Sequence, residues 1–168
     1  LMASARFIVA GVMLYGLARL GGTPQPTRSQ WGAAAVVGGL LLLGGNGGVV
    51  WAEQSVPSGL TALLVAIVPL WMVLLDWVRR GGIRPNGGVA VGLALGLTGV
   101  VLLVGPDELV GGGHVNPMGA AVLMLASFSW AAGSLYSRHA RLPTSRLLAT
   151  GMEMLMGGGL LLAMGSAS

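Results

Sequence analysis

Long apolar runs separated by short polar breaks form the pattern of this chain. A membrane-crossing helix needs about 20 largely apolar residues. Six segments meet this length or come close to it: residues 1–20, 31–52, 58–78, 88–104, 118–136 and 147–164. They are apolar on every face, whereas strands of a membrane barrel are about 10 residues long and alternate apolar with polar positions. The pattern therefore predicts an all-α, polytopic membrane helix bundle.

A membrane hairpin over residues 44–77 is the segment around which we expect a site to be organised. Its two apolar arms meet at a short polar break that holds Glu53, Gln54 and Ser55 and no basic residue. Because the break is short, the arms must be close antiparallel neighbours. Asn46 lies about two turns inside the first arm, between glycines that let a ligand or another backbone approach closely.

Composition makes this a membrane protein. Hydrophobic residues are 54% and charged residues only 8% of the 168 residues, against about a quarter charged in soluble domains, and the mean hydropathy is +0.82. Cysteine is absent, which excludes disulfides, thiol nucleophiles and Cys-ligated metals. His114 and His139 lie in separate polar connectors, where surface positions fit better than a metal or proton-relay role. We expect no enzymatic activity, no cofactor and no metal site.

The arginines indicate the orientation of the spans. All nine basic residues are arginine, and the formal net charge is +4. Eight of them flank or lie in the first, third and fifth connectors: Arg19, Arg28, Arg79, Arg80, Arg84, Arg138, Arg141 and Arg146. The second and fourth connectors contain no arginine, and their charged residues are the acids Glu53, Asp107 and Glu108. The positive-inside rule assigns the arginine-bearing connectors to the cytoplasm, so the charge indicates topology rather than a nucleic-acid partner.

Two charges fall deep inside predicted spans, where ionisable groups are costly and suggest function. By helix rise, Glu153 lies about 10 Å and Arg6 about 20 Å from the cytoplasmic side. Arg6 precedes Gly11 by five residues, as Glu153 precedes Gly158, in oppositely directed spans. This spacing suits an inverted repeat, and pairing of each charge with a polar neighbour is the structural alternative. Our hypothesis is that Glu153 or Glu53 takes part in proton or cation coupling.

A glycine stripe runs along the fourth predicted span. Gly88, Gly92 and Gly96 recur at four-residue spacing, with Gly99 one turn further. Small residues let helices pack closely in lipid, so we expect a tight helix pair there, either within the chain or in a homodimer through the Gly88, Gly92 and Gly96 face. The alternative is chance, because the chain contains 30 glycines.

Two local signals concern the third predicted span. Pro69 removes a backbone hydrogen bond from its interior and predicts a kink. Asp76 lies one turn before Arg79 and Arg80 at the end of the span, which predicts an interfacial ion pair.

Five motifs resemble successive helices of EamA-type transporters in the drug/metabolite transporter superfamily. RFIVAG is similar to the second helix, GNGGVVWAEQSVPSGLTALLVAIVPLW to the third and fourth, VGLALGLTGVVLLVG to the fifth, SFSWAAGSLYSRH to the sixth and GMEMLMGG to the seventh. The resemblance implies a ten-helix protein built from two inverted five-helix repeats, in the bacterial plasma (inner) membrane. Residues 1–105 would hold helices 2 to 5 of the first repeat, 106–116 an outward loop, and 117–168 the first two helices of the second. We therefore expect this chain to be a piece of a longer protein.

The resemblance also implies a function. The implied function is secondary transport, in which small organic metabolites, amino-acid-like compounds or drugs are exported by alternating access. Its partners would be a small-molecule substrate, the lipid bilayer and a coupling proton. The positions that match the family motifs and are expected to bind substrate are Asn46, Glu53, Gln54, Trp130 and Glu153. The alternative is a non-transporting membrane assembly or sensor subunit. A polar, water-accessible cavity near Asn46 and Trp130 would favour transport, and tight packing of those side chains would favour the alternative.

Overall fold

The computed structural model of the protein describes residues 2–79, 82, 84–104 and 116–166. Across these ranges the regular structure is entirely helical, which confirms the all-α fold class. The α-helices are α1 (Met2–Leu20), α2 (Arg28–Gly38), α3 (Gly48–Ala52), α4 (Ser58–Val65), α5 (Val68–Val78), α6 (Gly87–Val104), α7 (Pro117–Ser137) and α8 (Arg146–Gly165). A π-helix, Gly39–Gly47, joins α2 to α3.

The helices agree with the predicted apolar runs. Five segments are long and apolar enough to cross a membrane: Met2–Leu20, Arg28–Ala52, Ser58–Val78, Pro117–Ser137 and Arg146–Gly165. Helix α6 has a shorter apolar stretch, Gly87–Leu102, which begins one residue before the fourth predicted run. The predicted outward loop, with Asp107, Glu108 and His114, lies outside the described residues except for Asn116. Consecutive spans joined by short connectors make a polytopic bundle.

Arginines occupy helix ends, as the topology prediction requires. Arg19 is in the last turn of α1, and Arg28 and Arg146 begin α2 and α8. Arg79 directly follows α5 and its Nη2 lies 3.7 Å from Asp76 Oδ1, which confirms the predicted ion pair. The pair is partly exposed, so it adds little stability. Arg80 lies outside the described residues.

Accessibility labelling tests the sidedness of these ends. Because the chain contains no cysteine, a single introduced cysteine is a unique label. We expect Ser29→Cys, Asn86→Cys and Thr144→Cys to react with a membrane-impermeant maleimide only from the cytoplasmic side, and Gln54→Cys only from the outer side. All four positions are exposed, and none replaces an arginine that sets the topology. Labelling of the three cytoplasmic positions from different sides would contradict the predicted orientation.

The chain divides into two units. The first contains residues up to Gly44 and from Tyr136 onward, and so holds α1, α2 and α8. Its buried core is formed by Ala18, Ala34, Leu148 and Met152. The connection from α1 to α2 turns at Gly22, which has φ +79°, a conformation that favours glycine at helix C-termini.

In the first unit, glycines let the backbone of α8 approach the backbones of α1 and α2 closely. A methyl group added at Gly151 would lie 2.8 Å from the Tyr15 amide nitrogen, and one added at Gly11 would lie 3.1 Å from the Gly151 carbonyl oxygen. A methyl group added at Gly38 of α2 would overlap the carbonyl oxygen of Glu153. In lipid, such close packing of small residues drives helix association. The tight contacts of this unit are therefore those of α8 with α1 and with α2.

The second unit, Gly45–Leu135, contains α3 to α7. Ala52, Val56 and Leu123 form its buried cluster, so α7 packs against the hairpin made by α3 and α4. The Ser127 hydroxyl of α7 donates a hydrogen bond to the Leu64 carbonyl oxygen at 3.0 Å. The hairpin arms and α7 are thus joined by both apolar and polar contacts.

Helix α6 lies beside α4 in the second unit, but the glycine stripe makes no close contact there. A methyl group added at Gly92, Gly96 or Gly99 would meet nothing within 4 Å in the part of the chain that the structure describes. One added at Gly88 would approach only Asn86 Oδ1, at 3.4 Å. The described residues therefore supply no tight partner for the stripe, and a homodimer through this face stays a prediction.

The third predicted span is interrupted between α4 and α5, next to Pro69, the residue from which a kink is predicted. Pro69 is the second residue of α5 and has no amide hydrogen to donate to the Val65 carbonyl. Just before it, the Ile67 amide bonds to Leu64 at 3.4 Å, a shorter-range bond than the α-helical one. The span thus contains two helical halves with a turn at Ala66 and Ile67.

Candidate functional site

Asn46 lies in a π-helix that the apolar pattern did not predict. The segment Gly39–Gly47 adopts this wider turn over nine residues, and Asn46 is half-buried near its end. π-helical turns are rare and are often found at functional sites, because they shift the register of the side chains that follow. The unusual backbone therefore coincides with the polar residue that the hairpin pattern had singled out.

Glu53 and Gln54 lie at the tip of the hairpin. Glu53 follows α3 as its C-terminal cap, with its amide bonded to the Val49 carbonyl oxygen at 2.9 Å. Both side chains are exposed. By helix rise, Glu53 is about 10 Å from Asn46 along the arm. These two polar residues thus belong to the mouth of the hairpin, separate in depth from Asn46.

Helix α7 runs antiparallel to the α3 arm, and two glycines fix their register. A methyl group added at Gly48 would lie 2.9 Å from Ala126 Cβ, and one added at Gly119 would lie 2.5 Å from Val56 Cγ2. Rising residue numbers on one helix thus meet falling numbers on the other.

This register brings two of the predicted site residues to a similar depth. Asn46 is two residues before Gly48, and Trp130 is four residues after Ala126, so in an antiparallel pair both lie on the same side of the contact. Trp130 is half-buried, as is Asn46. An amide and an indole ring at one level in the membrane could bind a polar group and an apolar body of one ligand.

Glu153 lies in the first unit, whereas the other four predicted residues lie in the second. It is half-buried on α8, at the contact where Gly38 of α2 packs on its backbone carbonyl. The sequence prediction that Glu153 lies inside a span agrees with its place in the Arg146–Gly165 helix.

A groove of about 700 Å³ opens in the second unit between α6 and the α4 and α5 halves. Its twelve lining residues are all apolar or glycine, and Gly92 and Gly96 of the stripe are among them. None of the five predicted site residues lines it. The polar cavity that would favour transport is therefore not this groove.

Two residues that the sequence prediction left out carry unused hydrogen-bonding groups. Thr61 Oγ1 and Trp71 Nε1 are buried and have no hydrogen-bond partner among the described residues. The signal that could have found Thr61 is a hydroxyl in the otherwise apolar run of α4, SGLTALLV. Trp71 was not distinguishable from the other tryptophans by pattern alone.

Apolar spans, interrupted helices and polar side chains inside them define a multi-pass membrane helix bundle. Residues 1–105 match the EamA-like transporter family. The chain belongs to this family, and it is a multi-pass protein of the inner membrane. No solved structure matches it significantly.

Similar proteins are transporters by name. The chain is 40% identical over 159 residues to the "Uncharacterized inner membrane transporter YedA" of Escherichia coli strain K12, covering 94% of this chain and 50% of that protein. It is 30% identical to an "Uncharacterized transporter" of Synechocystis, over 96% of this chain and 53% of that protein. It is 29% identical over 49% of its length to a "Probable amino-acid metabolite efflux pump" of Escherichia coli, 26% of which is covered. The chain thus spans about half the length of the two relatives that it matches along nearly its whole length.

Proposed function

We propose that the protein is a secondary transporter that exports small organic metabolites, amino-acid-like compounds or drugs by alternating access. The observation that carries the proposal is the similar depth of Asn46, at the end of a π-helix, and Trp130, on the adjacent helix. Interrupted helices and polar groups near the middle of the membrane are typical of secondary transporters. The name of one relative, an amino-acid metabolite efflux pump, supports export of compounds of that kind.

In this proposal each of the five residues has a role that its position supports. The Asn46 amide hydrogen-bonds the substrate and the Trp130 ring contacts its apolar part. Glu53 and Gln54 meet the substrate at the outward mouth, and Glu153 carries the coupling proton. The two repeats, residues 1–105 and the repeat that begins at residue 117, rock around the site. A substrate shifts the inward and outward populations only by its differential affinity for them.

The apolar groove gives some support to the alternative function, an assembly or sensor subunit. Its lining is apolar and offers no polar group to a metabolite. An apolar lining of this kind is expected of a surface that packs against another helix. Reconstitution separates the two functions. A transporter moves a labelled substrate across vesicles that contain the purified protein alone, whereas an assembly subunit gives no flux above empty vesicles for any metabolite in a screen.

Glu153→Gln tests the coupling role in the same vesicles. We expect the variant to lose most of the dependence of transport on a pH gradient, because the amide cannot bind and release a proton. Glu53→Gln is the matched control. Glu53 is exposed in the hairpin turn whereas Glu153 is half-buried in a span, so Glu53→Gln should keep the dependence. An unchanged pH dependence in Glu153→Gln would remove Glu153 from coupling, and loss in the control alone would assign the proton to Glu53.

A further inference from the structure

Two buried polar groups flank the break between α4 and α5. Thr61 is 3% exposed, and neither its hydroxyl nor the Trp71 indole N–H has a partner in the described ranges. Thr61 is five residues before Ala66, and Trp71 is four residues after Ile67. Each group therefore lies about one turn from the break.

An unpaired threonine hydroxyl on a membrane helix is unusual, because it can donate a hydrogen bond to a carbonyl oxygen of its own helix. Thr98 on α6 does so, donating to the Ala94 carbonyl oxygen one turn back at 2.8 Å. The Ser127 hydroxyl, close to the break, is also satisfied, by the Leu64 carbonyl oxygen. Thr61 has the same local option as Thr98 and does not use it. Leaving such a group buried and unpaired costs about 1–3 kcal/mol. A purely structural role for Thr61 gives no reason to bear this cost.

The Trp71 ring is held in place while its N–H stays unused. It meets the Phe128 ring edge-on, with centroids 5.4 Å apart and planes at 90°. This contact holds the ring through its apolar surface and leaves the buried N–H without a partner in the described residues. Tryptophan donates but does not accept hydrogen bonds.

The break itself lies between these two groups. Pro69 follows it closely and offers no amide hydrogen to the Val65 carbonyl oxygen. The span covers 21 residues, Ser58–Val78, so the break falls near its centre. Interrupted helices expose backbone groups to ligands at this depth in transporters.

Within the described ranges of the second unit, no charged side chain lies in the interior of a helix. The unit's ionisable residues within the described ranges are Glu53, Asp76, Arg79 and Arg84, and all of them lie in connectors or in the last turn of a helix. A charged ligand group buried among neutral donors would lack a counter-charge, which is strongly unfavourable. The groups around the break are suited to an uncharged ligand.

We propose that Thr61 and Trp71 form a binding subsite for uncharged substrates that carry carbonyl or amide groups on an apolar body. The Trp71 N–H donates to a substrate carbonyl, and the Thr61 hydroxyl donates or accepts. This subsite rests on the proposed transport function and narrows its substrate class. It also accounts for the two buried groups that have no partner in the described residues.

The test compares variants of the complete protein with matched controls. Thr61→Val removes the hydroxyl and keeps the shape of the side chain, whereas Trp71→Phe removes the indole N–H together with one ring. Thr98→Val and Trp77→Phe make the same changes where the hydroxyl is paired on α6 and where the ring is 49% exposed. The probes are N-acetyl-L-phenylalaninamide, which is uncharged, and L-phenylalanine, which has the same apolar body and two charges. Thermal unfolding is measured with and without each probe, and uptake of each probe is measured in vesicles.

The amide should raise the Tm of the unmodified protein and both controls by a few degrees, and L-phenylalanine should not. Thr61→Val and Trp71→Phe should lose this rise and about three- to tenfold of amide transport, and the Tm of Thr61→Val without probe should equal or exceed that of the unmodified protein. A lower Tm without probe in Thr61→Val would mean a structural partner for the hydroxyl in the complete protein and would overturn the subsite. So would an undiminished rise in both variants, no rise in the unmodified protein, or a larger rise with L-phenylalanine. Failure of the proposed function looks different, because then no variant transports any substrate.

Discussion

Gly38→Ala is expected to destabilise the first unit by about 3 kcal/mol, the upper part of the range for overpacked sites. The added methyl group would overlap the carbonyl oxygen of Glu153 and lie 2.9 Å from the Gly157 amide nitrogen. Both obstructing atoms belong to the α8 backbone, so no side-chain rotation relieves the overlap. Helix α2 must move away from α8, and the packing gained by close approach is lost along the pair.

The neighbouring residue provides the control for this change. A methyl group at Gly39 would lie 3.5 Å from Leu160 Cδ1, an ordinary contact with the end of a flexible side chain. Gly39→Ala should therefore match or slightly exceed the unmodified protein in stability, because alanine favours helix over glycine by up to about 1 kcal/mol. Thermal unfolding in detergent, followed by circular dichroism, measures both. Equal Tm values for the two variants would show that α2 and α8 do not pack as closely as described.

The positions of the helices could be predicted from the sequence because membrane-spanning length and apolarity are local properties. The break at Pro69 was predictable for the same reason, since a missing amide hydrogen acts on its own helix. The π-helix over Gly39–Gly47 was not. Its wider turn is rare and has no sequence period that sets it apart within an apolar run, and four glycines among nine residues let the backbone adopt either form.

Which glycines pack helices together could not be predicted either. The regular spacing of Gly88, Gly92 and Gly96 pointed to α6, yet the close contacts in the first unit are made by glycines with less regular spacing, such as Gly11 and Gly151. Spacing tells only which glycines share a face. Whether that face meets another helix depends on the arrangement of the spans, which the sequence pattern does not encode locally.

For the candidate site, the sequence showed which residues are polar within apolar runs. It did not show which of their polar groups have hydrogen-bond partners. Asn46 was identified as a polar residue inside a span and Trp130 by the family resemblance, and the antiparallel register then brought them to a similar depth. Thr61 was missed because a threonine in a membrane helix normally bonds to its own backbone. Only the three-dimensional contacts reveal that its hydroxyl has no partner in the described chain.

Gly151→Ala should destabilise the contact of α1 with α8 by about 2–3 kcal/mol. Its methyl group would lie 2.8 Å from the Tyr15 amide nitrogen and 3.2 Å from the Gly11 carbonyl oxygen. Gly159→Ala is the control on the same helix, because a methyl group there meets nothing within 4 Å among the described residues. Unfolding in detergent should give a lower Tm for Gly151→Ala alone.

Combining Gly11→Ala with Gly151→Ala identifies the cause of that loss. The two glycines face each other, and a methyl group on either one must separate the same two backbones. Once the first substitution has moved the helices apart, the second meets little resistance, so the double variant should lose clearly less stability than the sum of the single losses. Losses that add fully would mean that each glycine acts through its own helix alone. The glycine pair would then not be the reason that the backbones of α1 and α8 approach so closely.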